Sequence, residues 1–242
     1  MAPMEGCLFR LPREKLNGLR DQVLQYVPEG TRVSDNDLVS ALTYKLLTQA
    51  TTEATGEDPG WLAKLASRAM GIKNEHMLGF PCDIRFRINM QSENYIGNPL
   101  YQASFANSID FAKQPSNAQT LAEVAVQVRE AISQVTPARI GGFYSMIESK
   151  DAKLGGFLAG MMAYKMVNGV SNQTRFNIYK ADFGSGVQSF ATAKPDFGDG
   201  VIIILPPPPP SNDLLVNLTV TAKVKECILK NKFWMELAEV VY

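Results

Sequence analysis

The chain has 242 residues, 45% of them hydrophobic, with 24 basic and 24 acidic side chains. That length can bury a sizeable core as one large domain or two small ones, and the even charge balance offers no overall field for nucleic acid or an anionic membrane. Cys7, Cys82 and Cys227 are odd in number and lack C-x-x-C spacing, which argues against a disulfide framework or zinc site and suits reduced thiols in a cytoplasmic protein. No apolar run reaches membrane-spanning length. Residues 1–11 lack a basic stretch followed by an apolar core, so no signal peptide is read there.

In chain order, residues 6–11 alternate as a strand that Pro12 ends. Over 13–27, Leu16, Leu19, Val23 and Tyr26 or Val27 recur every three to four residues, the period of an amphipathic helix. Ser34 stands three before Asp37, a capping box with Asp in the usual Glu place. The helix it opens runs to about Ala50, with an apolar face broad enough to be largely buried. Residues 51–60 read as a polar loop and 61–70 as a short helix, within a variable surface excursion over 51–76. Residues 79–90 read as one long strand, with Cys82, Ile84, Phe86 and Ile88 on one face and Asp83, Arg85 and Arg87 on the other. Such a charged face is either exposed or an internal row of ion pairs.

A turn at 95–99 is followed by a strand over 100–109. Ser116 and Asn117 can cap a helix over 118–135, and Pro137 suits the first turn of a second one ending near Ser149. Residues 154–157 are loop-like, and 164–170 read as a strand. The methionines at 161–166 read as core filling. A β-type run at 175–179 leads into Asp182-Phe183-Gly184-Ser185-Gly186, a spacing that permits a sharp turn of positive φ with the Asp capping or pairing at its base. A second Asp-Phe-Gly begins at Asp196. Residues 201–205 are a buried strand, 206–212 a proline-rich loop whose prolines run as extended polyproline, 214–221 the return strand, and 224–240 a closing helix. No repeat or domain break interrupts this order, which implies one mixed α/β layered unit over 1–242 with a large sheet.

Four stretches, taken together, resemble the C-terminal half of the BAHD acyltransferases, in the fungal branch that includes trichothecene 3-O-acetyltransferase. Val33 to Leu42 is similar to the family's helix start after the crossover. Asp83-Ile84-Arg85-Phe86-Arg87 is similar to its Asp/Asn-x-Arg-x-Arg strand, Tyr95-Ile96-Gly97-Asn98 to its Gly-Asn turn, and Asp182 to Gly186 to its Asp-Phe-Gly-Trp-Gly signature. The resemblance implies a single chloramphenicol-acetyltransferase-like lobe, half of a two-lobed enzyme with its active site between the lobes. Acyl-CoA would be a co-substrate and nothing would be bound tightly. The acceptor would be a small molecule, and an N-terminal lobe or self-association would complete the site.

By the same resemblance, Asp182, Phe183, Gly184, Gly186, Arg85, Gly97 and Asn98 are structural, Asp182 pairs with Arg85, and Ser171 lies beside the acyl-CoA channel. Two positions depart from the pattern: Asn172 and Ser185 each stand where the family has Trp. The family's catalytic His-x-x-x-Asp is absent. The one histidine, His76, has Phe80 in the Asp place and reads as an ordinary loop residue, so no catalytic residue and no metal ligand is assigned to this chain. A repurposed lobe that binds or rearranges a hydrophobic metabolite, and a non-catalytic remnant or interaction subunit, are the alternatives.

Overall fold

The computed structural model describes residues 3–56, 68–90, 95, 97–149, 164–192 and 198–242. Its strands are β1 (Met4–Leu11), β2 (Lys73–Asp83), β3 (Leu100–Ser108), β4 (Tyr164–Asn172), β5 (Val201–Leu205), β6 (Leu214–Thr221) and β7 (Glu239–Val240). They form one sheet in the order β3-β2-β4-β5-β6-β1-β7. The β2–β4 and β4–β5 pairs are parallel and the others antiparallel. The helices are α1 (Arg13–Leu24), α2 (Asp35–Thr55), α3 (Ile109–Lys113), α4 (Ala118–Ser133), α5 (Pro137–Glu148), α6 (Ala222–Lys230) and α7 (Lys232–Leu237).

The middle of the fold is α2. Ser34 accepts from the Asp37 amide and the Asp37 carboxylate accepts from Ser34, closing the box expected from the sequence. Such a box satisfies amides that the first helical turn leaves without partners. From Asp37 to Leu47 every residue of α2 is buried, because the helix lies between the sheet, α4 and α6. Even Lys45 is enclosed; its Nζ donates to the Phe111 carbonyl at 2.9 Å, and burial pulls its pKa down to about 8. The core on this side draws Phe9, Leu78, Phe80, Val170, Ile202, Ile204 and Val216 from the strands.

Several elements differ from the sequence reading. The strand expected at 79–90 begins at Lys73 and ends at Asp83; a 3-10 turn, Arg85–Ile88, follows, and Phe86 is 84% exposed rather than on a buried face. There the charged residues turn outward: Arg85 pairs with Asp83 at 2.9 Å in the open, and Arg87 Nη1 caps the Val135 carbonyl near the end of α4. The surface excursion therefore stops at the sheet, since residues 73–76 already belong to β2. Helix α2 runs five residues past Ala50.

The run at 175–179 is a turn and a 3-10 segment, Ile178–Lys180, because the chain has left the sheet by then. The closing helix breaks at Asn231, whose side chain caps α7 through the Trp234 amide, and β7 then returns to β1. The prolines do not stay extended: Ser211 N donates to Pro208 O at 3.2 Å, closing a turn between the antiparallel β5 and β6. The expected loop at 154–157, most of the helix at 61–70, and Asp196 and Phe197 of the second Asp-Phe-Gly lie outside the described residues.

Candidate functional site

Strand residues alternate between the two faces of a sheet. Here one face packs under the helices, while the other carries a smaller apolar group: Leu8, Ile203, Leu205 and Leu215, with Ile178 and Val201 against it. Val170 belongs to the helix side, so Gly169 and Ser171 face the other way. Pairing sets a row across this second face, running from Ser171 to Ile203, Asn217 and Leu8. Ser171 is partly buried at the carboxyl end of β4, and its Oγ accepts from Gln173 Nε2 at 3.4 Å.

Asn172, the residue after Ser171, is occupied by bonding. Its Nδ2 donates to Asn36 Oδ1 at the start of α2 (2.9 Å), while its Oδ1 accepts from the Thr174 amide and hydroxyl at 3.0 and 2.7 Å. The side chain holds the end of β4 against α2 and orders the turn that follows it through Thr174.

The single histidine corrects the loop assignment. His76 sits on β2 with 0% exposure, its ring stacked on Tyr44 at 4.2 Å between centroids. Nε2 meets Asn168 Oδ1, and Nδ1 meets the Thr48 hydroxyl. The Asn168 amide is oriented by its donation to the Gly200 carbonyl at 3.2 Å, so Nε2 carries the proton toward Oδ1 and Nδ1 is the acceptor. Burial lowers the pKa of the ring to about 4. With both nitrogens bonded on the helix side, His76 has no lone pair available to a substrate on the other face. It joins α2, β2 and β4, and through Gly200 reaches the start of β5.

The signature turn is more open than the resemblance implies. Asp182 Oδ1 accepts from the amides of Gly184 (2.8 Å) and Gly186 (3.0 Å), and both glycines have φ above +90°. Phe183 is 90% exposed. The expected Asp182–Arg85 pair is not formed: Asp182 is spent inside its own turn, and Arg85 is spent on Asp83. Gly97 and Asn98 are exposed, and a Cβ on Gly97 would meet the Tyr95 ring at 2.4 Å. Arg85, Ser171 and the signature turn are therefore three separate features among the described residues. No group of acidic, histidine or cysteine side chains among them is arranged to hold a metal. An open cleft of about 550 Å³ along the β3 edge, between Tyr101–Ala106 and Gln127, Glu130 and Arg139, contains none of the expected site residues.

Sequence reasoning overlooked Asn168 and Gly200. A Cβ on Gly200 would stand 1.9 Å from Asn168 Nδ2, and its φ of +76° favours glycine as well. A glycine immediately before an apolar strand was the available signal, but its partner lies 32 residues away.

No family model and no curated protein matches the chain. Solved structures do. TRI101 of F. sporotrichioides complexed with coenzyme A and T-2 aligns with a TM-score of 0.71 at 14% identity, over 100% of this chain and 52% of that one. TRI101 of F. graminearum complexed with coenzyme A and T-2 mycotoxin gives 0.71 at 16% identity, over 100% and 51%. Vinorine synthase gives 0.65 at 15% identity, over 99% and 49%. The chain thus spans about half the length of the structures it matches. The likeness shows the fold: a single chloramphenicol-acetyltransferase-like lobe, a seven-stranded mixed sheet with its helices, matching half of those chains.

Proposed function

We propose that this chain is the C-terminal lobe of a BAHD-type acyltransferase, moving an acyl group from coenzyme A to a hydroxyl or amine of a small secondary metabolite. The reading includes a fungal, cytoplasmic setting, in keeping with three free cysteines and the absence, among the described residues, of any helix long and apolar enough to cross a membrane. What carries it is the alignment of the whole chain with half of a structure holding coenzyme A, with the four motifs in the family's order.

The chemistry assigns this lobe a partial role. An alcohol attacks a thioester carbonyl well only when a neighbouring base takes its proton. His76 cannot be that base, being buried, bonded at both nitrogens and neutral down to about pH 4. The base must come from an N-terminal lobe, on a second chain or in a longer form of this one. The part left to this lobe is one wall of the thioester channel at Ser171, on the sheet face turned away from the helices.

The test is an acyl-CoA turnover and binding assay with and without a lobe carrying His-x-x-x-Asp. Turnover is expected only with the added lobe, and acyl-CoA binding in both cases. Turnover by the chain alone would overturn the missing base. The bonding of Asn172 favours a second reading, a repurposed lobe that takes a hydrophobic metabolite without acyl transfer. Metabolite binding with no response to acyl-CoA, whichever lobe is added, would select it.

A further inference from the structure

The two edges of the sheet are unlike. β7 is two residues long, while β3 runs for nine, with no strand on its outer side among the described residues. A free edge offers a row of backbone donors and acceptors to any strand that meets it, and proteins usually blunt it with a charge, a proline, a bulge or a short length. β3 has none of these. Its sequence, LYQASFANS, is uncharged and free of proline, and its register against β2 is unbroken from Asp83–Leu100 to Glu75–Ser108. Gln102 and Ser104, near its middle, are exposed.

Beside this edge lies the open cleft of about 550 Å³, and its far wall carries two opposite charges, Glu130 and Arg139. Both are exposed, and neither forms an ion pair among the described residues. Their order along the edge is fixed by contacts. Gln127 and Asn107 exchange hydrogen bonds at 2.6 and 3.2 Å, which sets the α4 end of the wall beside the carboxyl half of β3. Glu130 is on the next turn of the same helix face. The rings of Tyr101 and Phe143 meet at 5.4 Å, which sets α5 beside the amino end of β3, and Arg139 stands one turn before Phe143.

An antiparallel pairing of two β3 strands about a two-fold axis near Ser104 brings the amino end of each against the carboxyl half of the other. Glu130 of each copy then faces Arg139 of the second copy, the self-complementary arrangement that a two-fold interface requires. Across the strands themselves no like charges meet, because β3 has no charge. We infer that the β3 edge is a self-association surface, where a second copy of this chain pairs β3 to β3 and continues the sheet. This surface does not depend on the acyl-transfer reading.

The experiment is analytical ultracentrifugation of the full chain over a concentration series, with a circular dichroism spectrum of each variant to show that it folds. The natural chain should sediment as a dimer. Ser104→Lys, which sets like charges across the axis, should raise the dimer Kd at least about a hundredfold. Glu130→Arg and Arg139→Glu should each weaken the dimer about tenfold at low salt, and the two together should restore it to within about threefold. A natural chain that stays monomeric at its highest soluble concentration, or a dimer indifferent to Ser104→Lys, would overturn the β3 surface. A dimer that the single reversals leave unchanged, or that the double reversal fails to restore, would overturn the two-fold arrangement.

Discussion

His76 and the Asp182–Gly186 turn invite comparison, because their structural roles are the reverse of what their sequences suggest. The histidine has no motif around it, yet it is fully buried and ties a helix to two strands through Thr48, Tyr44 and Asn168. The turn has a family signature, yet it is exposed and closes on itself through one carboxylate oxygen. The difference is one of environment. A polar group buried among apolar neighbours must be satisfied, and loss of any partner leaves the rest unpaired at full desolvation cost. A turn in water can trade each lost bond for a bond to solvent.

That contrast makes a ranked set of expectations. Gly200→Ala and His76→Ala should be the most damaging, each lowering stability by roughly 3–5 kcal/mol in urea unfolding, through a forced approach to Asn168 in one case and a cavity with unpaired partners in the other. Their effects should fall well short of additive in the double variant, because both act through Asn168. Additive losses would separate Gly200 from the histidine network.

Next comes pH. The folded state holds the His76 ring neutral down to about 4, against an ordinary value of 6.5, so between these values the unfolded chain binds more protons. Stability is complete above 6.5 and falls by roughly 3 kcal/mol as pH drops toward 4. His76→Gln, measured by denaturant midpoint across this range, should lose most of that slope. An identical slope would assign the acid sensitivity to other groups.

Asp182→Ala should cost about 1 kcal/mol, the worth of exposed turn hydrogen bonds. Combined with Arg85→Ala in a thermal double-mutant cycle, it should show coupling below about 0.3 kcal/mol, since the two side chains have different partners. A coupling of several kcal/mol would restore the buried pair. Smallest of all, Phe183→Ser should change stability by less than about 0.5 kcal/mol because the ring is already in water; a large loss would mean that the turn packs against something beyond this lobe.

Much of the fold was legible because its signals are local. The capping box at Ser34 and Asp37, the period of α4 and the continuous apolar run of β5 each specify an element within a few residues. The stretch from Asp83 to Ile88 misled because its alternation fits a strand, while nothing nearby reveals that β3 lets the chain turn away after Asp83. The site was less legible. Ser171 could be located by resemblance, but its face followed only from the packing of Val170.

By itself, then, the sequence determined the α/β class, most helix and strand positions, the three widely spaced thiols and the absence of a His-x-x-x-Asp base. These depend on composition and short-range period. Only the tertiary structure decided that His76 is a buried tie, that Arg85 and Asp182 do not meet, and that Ser171 faces away from the helices. Each of those depends on residues far apart in the chain being brought together or kept apart, and short-range pattern carries no record of that distance.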